Sequence, residues 1–348
     1  METKIIDISI NDADFSEKIN TAASVIKNGG LVVFPTETVY GLGADATNAK
    51  AAKAIYAAKG RPSDNPLIIH ISTPTDAEKY TYTSETYYKL AEAFMPGPLT
   101  VILPAKDTVP KETRGGLDTV AVRCPEHRIA NALISAAGVP IAAPSANLSG
   151  SPSPTTAEHV IDDMMGRVDV ILSGGSADFG LESTIVKIED DNSLLLLRPG
   201  KITVDELLRI ADVTIADSVT NELKKGEIAL SPGMKYRHYA PKSPLILFDA
   251  TKEALIEHLK KESNLNLAII AYNEDISAFT TAFPKAHCYD FGSREDLDSH
   301  AFTLFSILRD ADKQNFDKIY APLPGKEGIE LALYNRMIRA AAHEIIKL

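Results

Sequence analysis

Apolar and polar positions change period several times along the chain, and each change marks an element. Residues 5–10 alternate with period two and predict a short strand. Residues 16–27 carry apolar positions at helical spacing and end at Gly29-Gly30, a helix-stopping pair. Residues 31–34 are continuously apolar, as a buried strand is, and residues 49–58 are alanine-rich and helical. Strands are predicted over 67–71, 99–103 and 119–124, and a helix over 87–94 that Pro96-Gly97-Pro98 stops. The pleat puts His70 on one face with Ile68, and Thr119 and Ala121 on one face with Arg123. Residues 139–144 are apolar, 168–173 and 194–197 read as strands, and residues 181–188 enter another strand through hydroxyls. Thr155 with Glu158, and Thr203 with Glu206, have the spacing of capping boxes; the second opens a helix to about Ile210.

Residues 218–240 show no period. After them the pattern becomes regular: strands over 244–248, 267–271 and 318–321, helices over 252–261, 299–314 and 330–347. Strand and helix in alternation predict a small α/β domain with a parallel sheet. No active-site constellation stands out in it.

At 348 residues the chain is long enough for two domains, and its 45% hydrophobic content is that of a globular protein. No apolar run has the length of a membrane span, and Met1-Glu2-Thr3-Lys4 does not open a signal peptide. Cys124 and Cys288 are far apart, which argues against a disulfide framework or a zinc cluster and for a reducing cytoplasm. The net charge of −11 disfavours broad nucleic-acid binding but permits a local basic cleft. There is no internal repeat and no low-complexity tract.

Four stretches carry candidate chemistry. Lys59-Gly60-Arg61-Pro62 places two cations on either side of a glycine, with Asn65-Pro66 and the strand to His70 following. A stiff loop of this kind presents both charges to one polyanion; a solvated pair at a helix C-terminus is the competing reading. Pro35-Thr36-Glu37-Thr38-Val39-Tyr40-Gly41-Leu42-Gly43 sets hydroxyls and two glycines directly after a strand, as a ligand lip or an ordinary turn. It lacks the third glycine of a dinucleotide fingerprint, and the chain has no Walker A lysine motif. Ser145-Ala146-Asn147 opens a hydroxyl-rich loop through Ser153-Pro154, an anion site or a plain surface loop. Glu182-Ser183-Thr184 leads into a strand, and Arg198-Pro199-Gly200 holds an arginine at a strand end. Arg123 on an inward strand face implies an anion to meet, unless that face is solvated. The segment Lys235-Tyr236-Arg237-His238-Tyr239 is basic and aromatic and reads as a linker with a contact role rather than a passive spacer.

In combination, Lys59-x-Arg61, Ser145-x-Asn147, the 35–43 lip and Arg198 resemble the threonylcarbamoyl-adenylate synthase family over about the first two hundred residues, with the linker and C-terminal α/β domain of its two-domain form. The resemblance implies an open, twisted α/β N-terminal domain with a large central cavity and a small Rossmann-like C-terminal domain. The division follows as a catalytic domain at 1–210, a linker and possible active-site lid at 211–242, and the C-terminal domain at 243–348. It implies a nucleotidyltransferase that makes L-threonylcarbamoyl-AMP and pyrophosphate from L-threonine, bicarbonate and ATP, with Mg²⁺ accompanying ATP and no protein metal site. Carried over residue by residue, ATP would be held by Lys59, Arg61, Asn65, Thr119, Ser145, Asn147, Ser153, Arg198 and Tyr236, with Lys59 and Arg61 as the catalytic cations. Threonine would be held by Thr36, His70, Arg123, the Ala143 backbone and Ser183, with Thr38 and Thr184 as near alternatives. The product would serve modification of the tRNA adenosine beside the anticodon through separate partner proteins, without stable nucleic-acid or membrane binding by this chain. A double-stranded RNA or tRNA binding module, and a carbamoyl-transfer domain of the hydrogenase-maturation type, are the rival readings. The second normally brings zinc-finger segments, for which two cysteines are too few.

Overall fold

A computed structural model describes residues 2–190, 193–221, 230–232, 238–262 and 264–348. They group into two units, one of residues 1–149 and 153–236, the other of residues 150–152 and 237–348.

The first unit holds β1 (Lys4–Asp7), α1 (Phe15–Lys27), β2 (Val32–Phe34), β3 (Gly41–Asp45), α2 (Ala49–Lys59), β4 (Ile68–His70), α3 (Glu85–Phe94), β5 (Leu99–Pro104), β6 (Thr119–Arg123), α4 (Arg128–Ala137), β7 (Ile141–Ala142), α5 (Ala157–Met164), β8 (Val170–Ser173), β9 (Thr184–Asp190), β10 (Ser193–Arg198), α6 (Val204–Leu207) and β11 (Asp212–Ile215). The strands join in one mixed sheet of order β1-β8-β2-β3-β7-β4-β6-β5-β9-β10-β11. Helix α1 buries Ile19, Ala22, Ala23 and Ile26, the stripe its spacing predicts. With Ile129, Leu133 and Ile134 of α4 it covers Val32, Phe34, Val170 and Leu172 of the sheet. Asn48 caps α2 by accepting from the Lys50 and Ala51 amides, and Gly60 ends it at φ +62°, where a side chain would be strained.

Several expectations are corrected. Gly41-Leu42-Gly43, for which a lip and a turn were both open, is strand β3, antiparallel to β2. Gly43 has no room for a side chain, because a Cβ would stand 2.7 Å from both Phe34 and Ile141. Thr156, not Thr155, caps α5, accepting from the His159 amide at 3.4 Å. The Thr203–Glu206 capping box is present, but α6 stops at Leu207 and the β-branched Val213-Thr214-Ile215 run pairs with β10. Helix α4 falls in a stretch for which no element was expected; His127 caps it and its apolar residues recur at helical spacing.

The second unit alternates β12 (Leu245–Asp249), α7 (Lys252–Leu259), β13 (Leu267–Ala271), α8 (Asn273–Ala282), β14 (His287–Asp290), α9 (Leu297–Ala311), β15 (Lys318–Pro322), α10 (Glu330–Ala340) and β16 (Ile345–Lys347). Its sheet is parallel, in the order β14-β13-β15-β12-β16. The helix expected over 330–347 ends at Ala340: Ala342 and His343 take positive φ, and Ile345-Ile346 add an edge strand to β12. A cavity of about 800 Å³ opens at the carboxyl ends of β12, β13 and β15. No helix among the described residues is long and apolar enough to cross a membrane.

Candidate active site

Backbone pairing draws the four stretches together. The lip binds the serine-rich loop through Leu42 N–H to the Pro144 carbonyl (2.9 Å), Ala146 N–H to Tyr40 (2.8 Å) and Tyr40 N–H to Pro154 (3.0 Å). It binds the approach to β9 through Phe179 N–H to Glu37 (2.9 Å) and Gly180 N–H to Thr38 (3.1 Å). The end of α2 joins as well, since Ser149 N–H donates to the Lys59 carbonyl at 2.9 Å.

Lys59 is the last residue of α2 and is buried. Its Nζ donates to the carbonyls of Ser145 and Asn147, both at 2.5 Å, and lies 3.4 Å from Asn147 Oδ1. The Ser145 hydroxyl donates to the same Oδ1 at 2.5 Å. Helix end and loop are thus one unit with an ammonium at its centre. Lys59 is thus not a solvated charge at a helix end: it ties two segments. Arg61 closes its own loop, donating from Nη2 to the carbonyls of Asn65 (3.3 Å) and Pro66 (3.0 Å). The buried Asn65 Oδ1 accepts no hydrogen bond among the described residues, an open acceptor beside the cations.

A polar row crosses the sheet. His70 of β4 is in register with Arg123 of β6, and Arg123 with Thr100 of β5, so the three side chains share a face. Two residues back, in the same register, lie Ile68, Ala121 and Ile102, an apolar strip joined by Ile185 and Leu197. Thr119 is half-buried at the other end of β6, roughly 13 Å from Arg123 along the strand. Thr100 and Ser183 share a hydrogen bond of 2.8 Å. Arg198 donates to the Ser183 carbonyl from Nε (2.9 Å) and to its hydroxyl from Nη2 (3.1 Å). Ser183 is therefore in the row, whereas the Thr184 hydroxyl is committed to the Ile202 carbonyl at 2.8 Å. Thr36 turns its hydroxyl to the Val39 carbonyl (2.6 Å), with Thr38 Oγ1 3.0 Å away. The Ala143 N–H is used by the Ile68 carbonyl, so its own carbonyl is what Ala143 has to offer.

Two carboxylates that the candidate set omits stand here. Glu37 Oε1 meets Arg123 Nη2 at 2.7 Å, with the pair almost fully buried. Burial pushes the Glu37 carboxyl up, but the Arg123 charge and hydrogen bonding, with the Glu126 N–H, outweigh it and hold the group below its ordinary 4.5. Buried Glu182 accepts from the Ser153 hydroxyl. Both lie inside the quoted stretches, and a lone acid among hydroxyls was the available signal. Tyr236 lies outside the described residues, as do Lys235 and Arg237.

His70 is buried, its Nδ1 faces the Ile141 carbonyl at 3.3 Å, and its ring packs edge-on against Phe34. Burial, and then the Arg123 charge, pull its pKa to about 3. The fold thus resists protonating it, while the unfolded chain accepts a proton near 6.5. His70 should make the protein less stable as pH falls from about 6.5 towards 3. A His70→Gln variant should flatten that part of the stability–pH curve, and NMR titration of wild type should show His70 still neutral near pH 5. An ordinary titration near 6.5 would contradict this placement.

Cys124, next to Arg123, has its thiol pushed by burial to about 12, which makes it a poor nucleophile. Cations, hydroxyls and open acceptors at strand ends equip an enzyme that orients small substrates and steadies phosphate charge. The comparisons with known proteins agree. The Sua5_yciO_yrdC family model, described as telomere recombination, matches residues 24–200, and the model of the threonylcarbamoyl-AMP synthase C-terminal domain matches residues 202–342. The chain is 41% identical to the threonylcarbamoyl-AMP synthase of Bacillus subtilis, with 100% of each chain covered. It is 41% identical to that of Pyrococcus abyssi over 95% of this chain and 96% of the other. The crystal structure of P. abyssi Sua5 complexed with L-threonine matches with a TM-score of 0.90 and 39% identity, covering 99% of this chain and 100% of that one. The chain belongs to the threonylcarbamoyl-AMP synthase family, in its two-domain form.

Proposed function

We propose that this chain synthesises L-threonylcarbamoyl-AMP from L-threonine, bicarbonate and ATP, releasing pyrophosphate. The observation that carries the reading is the lock of Lys59 onto Ser145 and Asn147, which holds a buried cation on the serine-rich loop that the lip also binds. The relatives are named for this activity, and the P. abyssi structure for its threonine. In the proposal Lys59, Arg61, Asn65, Thr119, Ser145, Asn147, Ser153, Arg198 and Tyr236 hold ATP. Thr36, His70, Arg123, the Ala143 carbonyl and Ser183 hold threonine.

The chemistry needs no protein nucleophile. The amine nitrogen, its proton lost, bonds to the carbon of CO₂ derived from bicarbonate. A carbamate oxygen then bonds to the α-phosphorus as the bond to pyrophosphate breaks. The residues orient the two substrates, and the cations of Lys59, Arg61 and Arg198 offset the phosphate charge. Mg²⁺ arrives as part of the nucleotide substrate; among the described residues no group of three or more His, Cys, Asp or Glu side chains is placed to hold a metal ion. The domain division at 210 and 242, work in the cytoplasm, and delivery of the adenylate to partner proteins that modify tRNA belong to the same proposal.

Pyrophosphate release should require ATP, threonine and bicarbonate together. A site that hydrogen-bonds the substrate hydroxyl should reject valine strongly and accept serine at an intermediate level, since serine lacks only the methyl. Equal release without threonine would overturn the reading. Tight tRNA binding with no adenylate formed would favour an RNA-binding module.

A further inference from the structure

The Glu37–Arg123 pair is incompletely satisfied. Glu37 Oε1 is used twice, by Arg123 at 2.7 Å and by the Glu126 N–H at 3.1 Å. Glu37 Oε2, Arg123 Nε and Arg123 Nη2 are buried and make no well-directed hydrogen bond among the described residues, Nη2 meeting Glu37 Oε1 as an ion pair. A buried orphan acceptor and a buried orphan donor each carry a penalty that native structures rarely leave standing. Here they occur together, an acceptor on one member of a single ion pair and donors on the other.

The pair itself is neutral in sum. His70 is neutral, the Cys124 thiol is protonated, and His127 is held below its ordinary pKa, first by burial. Glu37 and Arg123 sum to zero as a pair; the further charges of the region stand on their neighbours, Arg198 on Ser183, Asp76 near Cys124 and Asp178 near His127. A simple carboxylate entering such a site would add an uncompensated negative charge in a dry environment, and a simple amine an uncompensated positive one. A zwitterion adds neither. An α-amino acid head group brings one anion that accepts hydrogen bonds and one cation that donates them, which matches orphan donors on Arg123 and an orphan acceptor on Glu37.

We infer that Glu37 is a substrate-recognition residue: Arg123 takes the α-carboxylate while Glu37 Oε2 takes the α-ammonium, so the pair selects a zwitterionic head group by charge balance. This rests on the proposed placement of the amino acid at Arg123. It extends that placement with a carboxylate for the amine and a rule for which ligands are refused. The competing role is a buttress, in which Glu37 merely keeps the Arg123 side chain in place.

The two roles differ in sign towards one analogue, 3-hydroxybutyrate, which keeps the carboxylate and hydroxyl of threonine and lacks its ammonium. Binding of L-threonine and of 3-hydroxybutyrate to the full-length protein is measured by calorimetry for wild type, Glu37→Gln and Glu37→Asp. Glu37→Gln should weaken threonine by roughly 10–100-fold, the loss of one charge-assisted hydrogen bond. It should also tighten 3-hydroxybutyrate, by about tenfold or more, because Arg123 then lacks a counter-ion that the analogue supplies. Glu37→Asp keeps the charge while withdrawing the carboxylate. It should weaken threonine and still refuse the analogue, which keeps the inference testable if the glutamine variant folds poorly. Parallel weakening of both ligands in Glu37→Gln, or analogue binding by Glu37→Asp, would overturn the inference and leave the proposed function intact. Failure of the wild type to bind threonine would overturn both.

Discussion

Lys59→Ala should lower ATP-dependent pyrophosphate release by about 100-fold and lower the thermal midpoint in the same protein. The two losses share one origin. The ammonium is the charge nearest the junction of α2 and the serine-rich loop, and a charge-assisted hydrogen bond to phosphate is worth roughly 1.5–3 kcal/mol, or ~10–100-fold. It also satisfies the Ser145 and Asn147 carbonyls at 2.5 Å. Without it, each carbonyl left unpaired in a buried setting costs about 1–3 kcal/mol, and the loop loses its tie to the helix. Lys59→Met separates packing from charge, because it keeps the apolar stem. It should recover a few degrees of the lost midpoint and almost none of the activity. Thermal unfolding and steady-state kinetics on the three proteins check this. An alanine variant with wild-type stability would show that the tie contributes nothing.

Arg123→Ala should abolish the threonine dependence of turnover and destabilise the fold by about 3–5 kcal/mol near neutral pH, since it strands the Glu37 carboxylate without its cation. The pH dependence gives the sign. In wild type, Arg123 and the Glu126 N–H hold Glu37 below 4.5 against the upward push of burial. The resulting stability is present above the unfolded value near 4.5 and is lost as pH falls through the lower folded value. In the variant only the backbone amides still oppose the push of burial, the largest of these effects, so the folded pKa rises and acidification relieves the penalty by protonating the group. The stability gap between variant and wild type should therefore be smaller near pH 5 than near pH 8. A gap that is constant with pH would mean that Glu37 is not the group left stranded.

Much of this was legible in the sequence because local chemistry settled it. The α1 stripe, its stop at Gly29-Gly30 and the Thr203–Glu206 box each depend on a few neighbouring residues, and each is present. The cations and hydroxyls were likewise visible as residue types in dense stretches. What the sequence hid was pairing over long separations. Nothing near Lys59 says that its ammonium meets carbonyls 86 and 88 residues away. Glu37 read as one polar residue in a lip until the register of β4 with β6 fixed Arg123 in the site and Glu37 was found against it. The strand at Gly41-Leu42-Gly43 was hidden for the same reason: two glycines left a lip and a turn both open, while the need for them comes from Phe34, Ile141 and Ala143 crowding β3. The end of the chain failed through a local conflict. Helical composition ran on past Ala340, and the exposed edge of β12 captured Ile345–Lys347 as a strand.

The central claim is that threonine enters the product through a carbamate and not through its own carboxylate. Mass spectrometry of the adenylate formed from ATP, L-threonine and carbon-13 bicarbonate tests it in one step. The account predicts an adenylate that contains threonine and carries a single carbon-13, with no adenylate formed when bicarbonate is withheld. An adenylate of threonine without the label, formed equally well in the absence of bicarbonate, would contradict it.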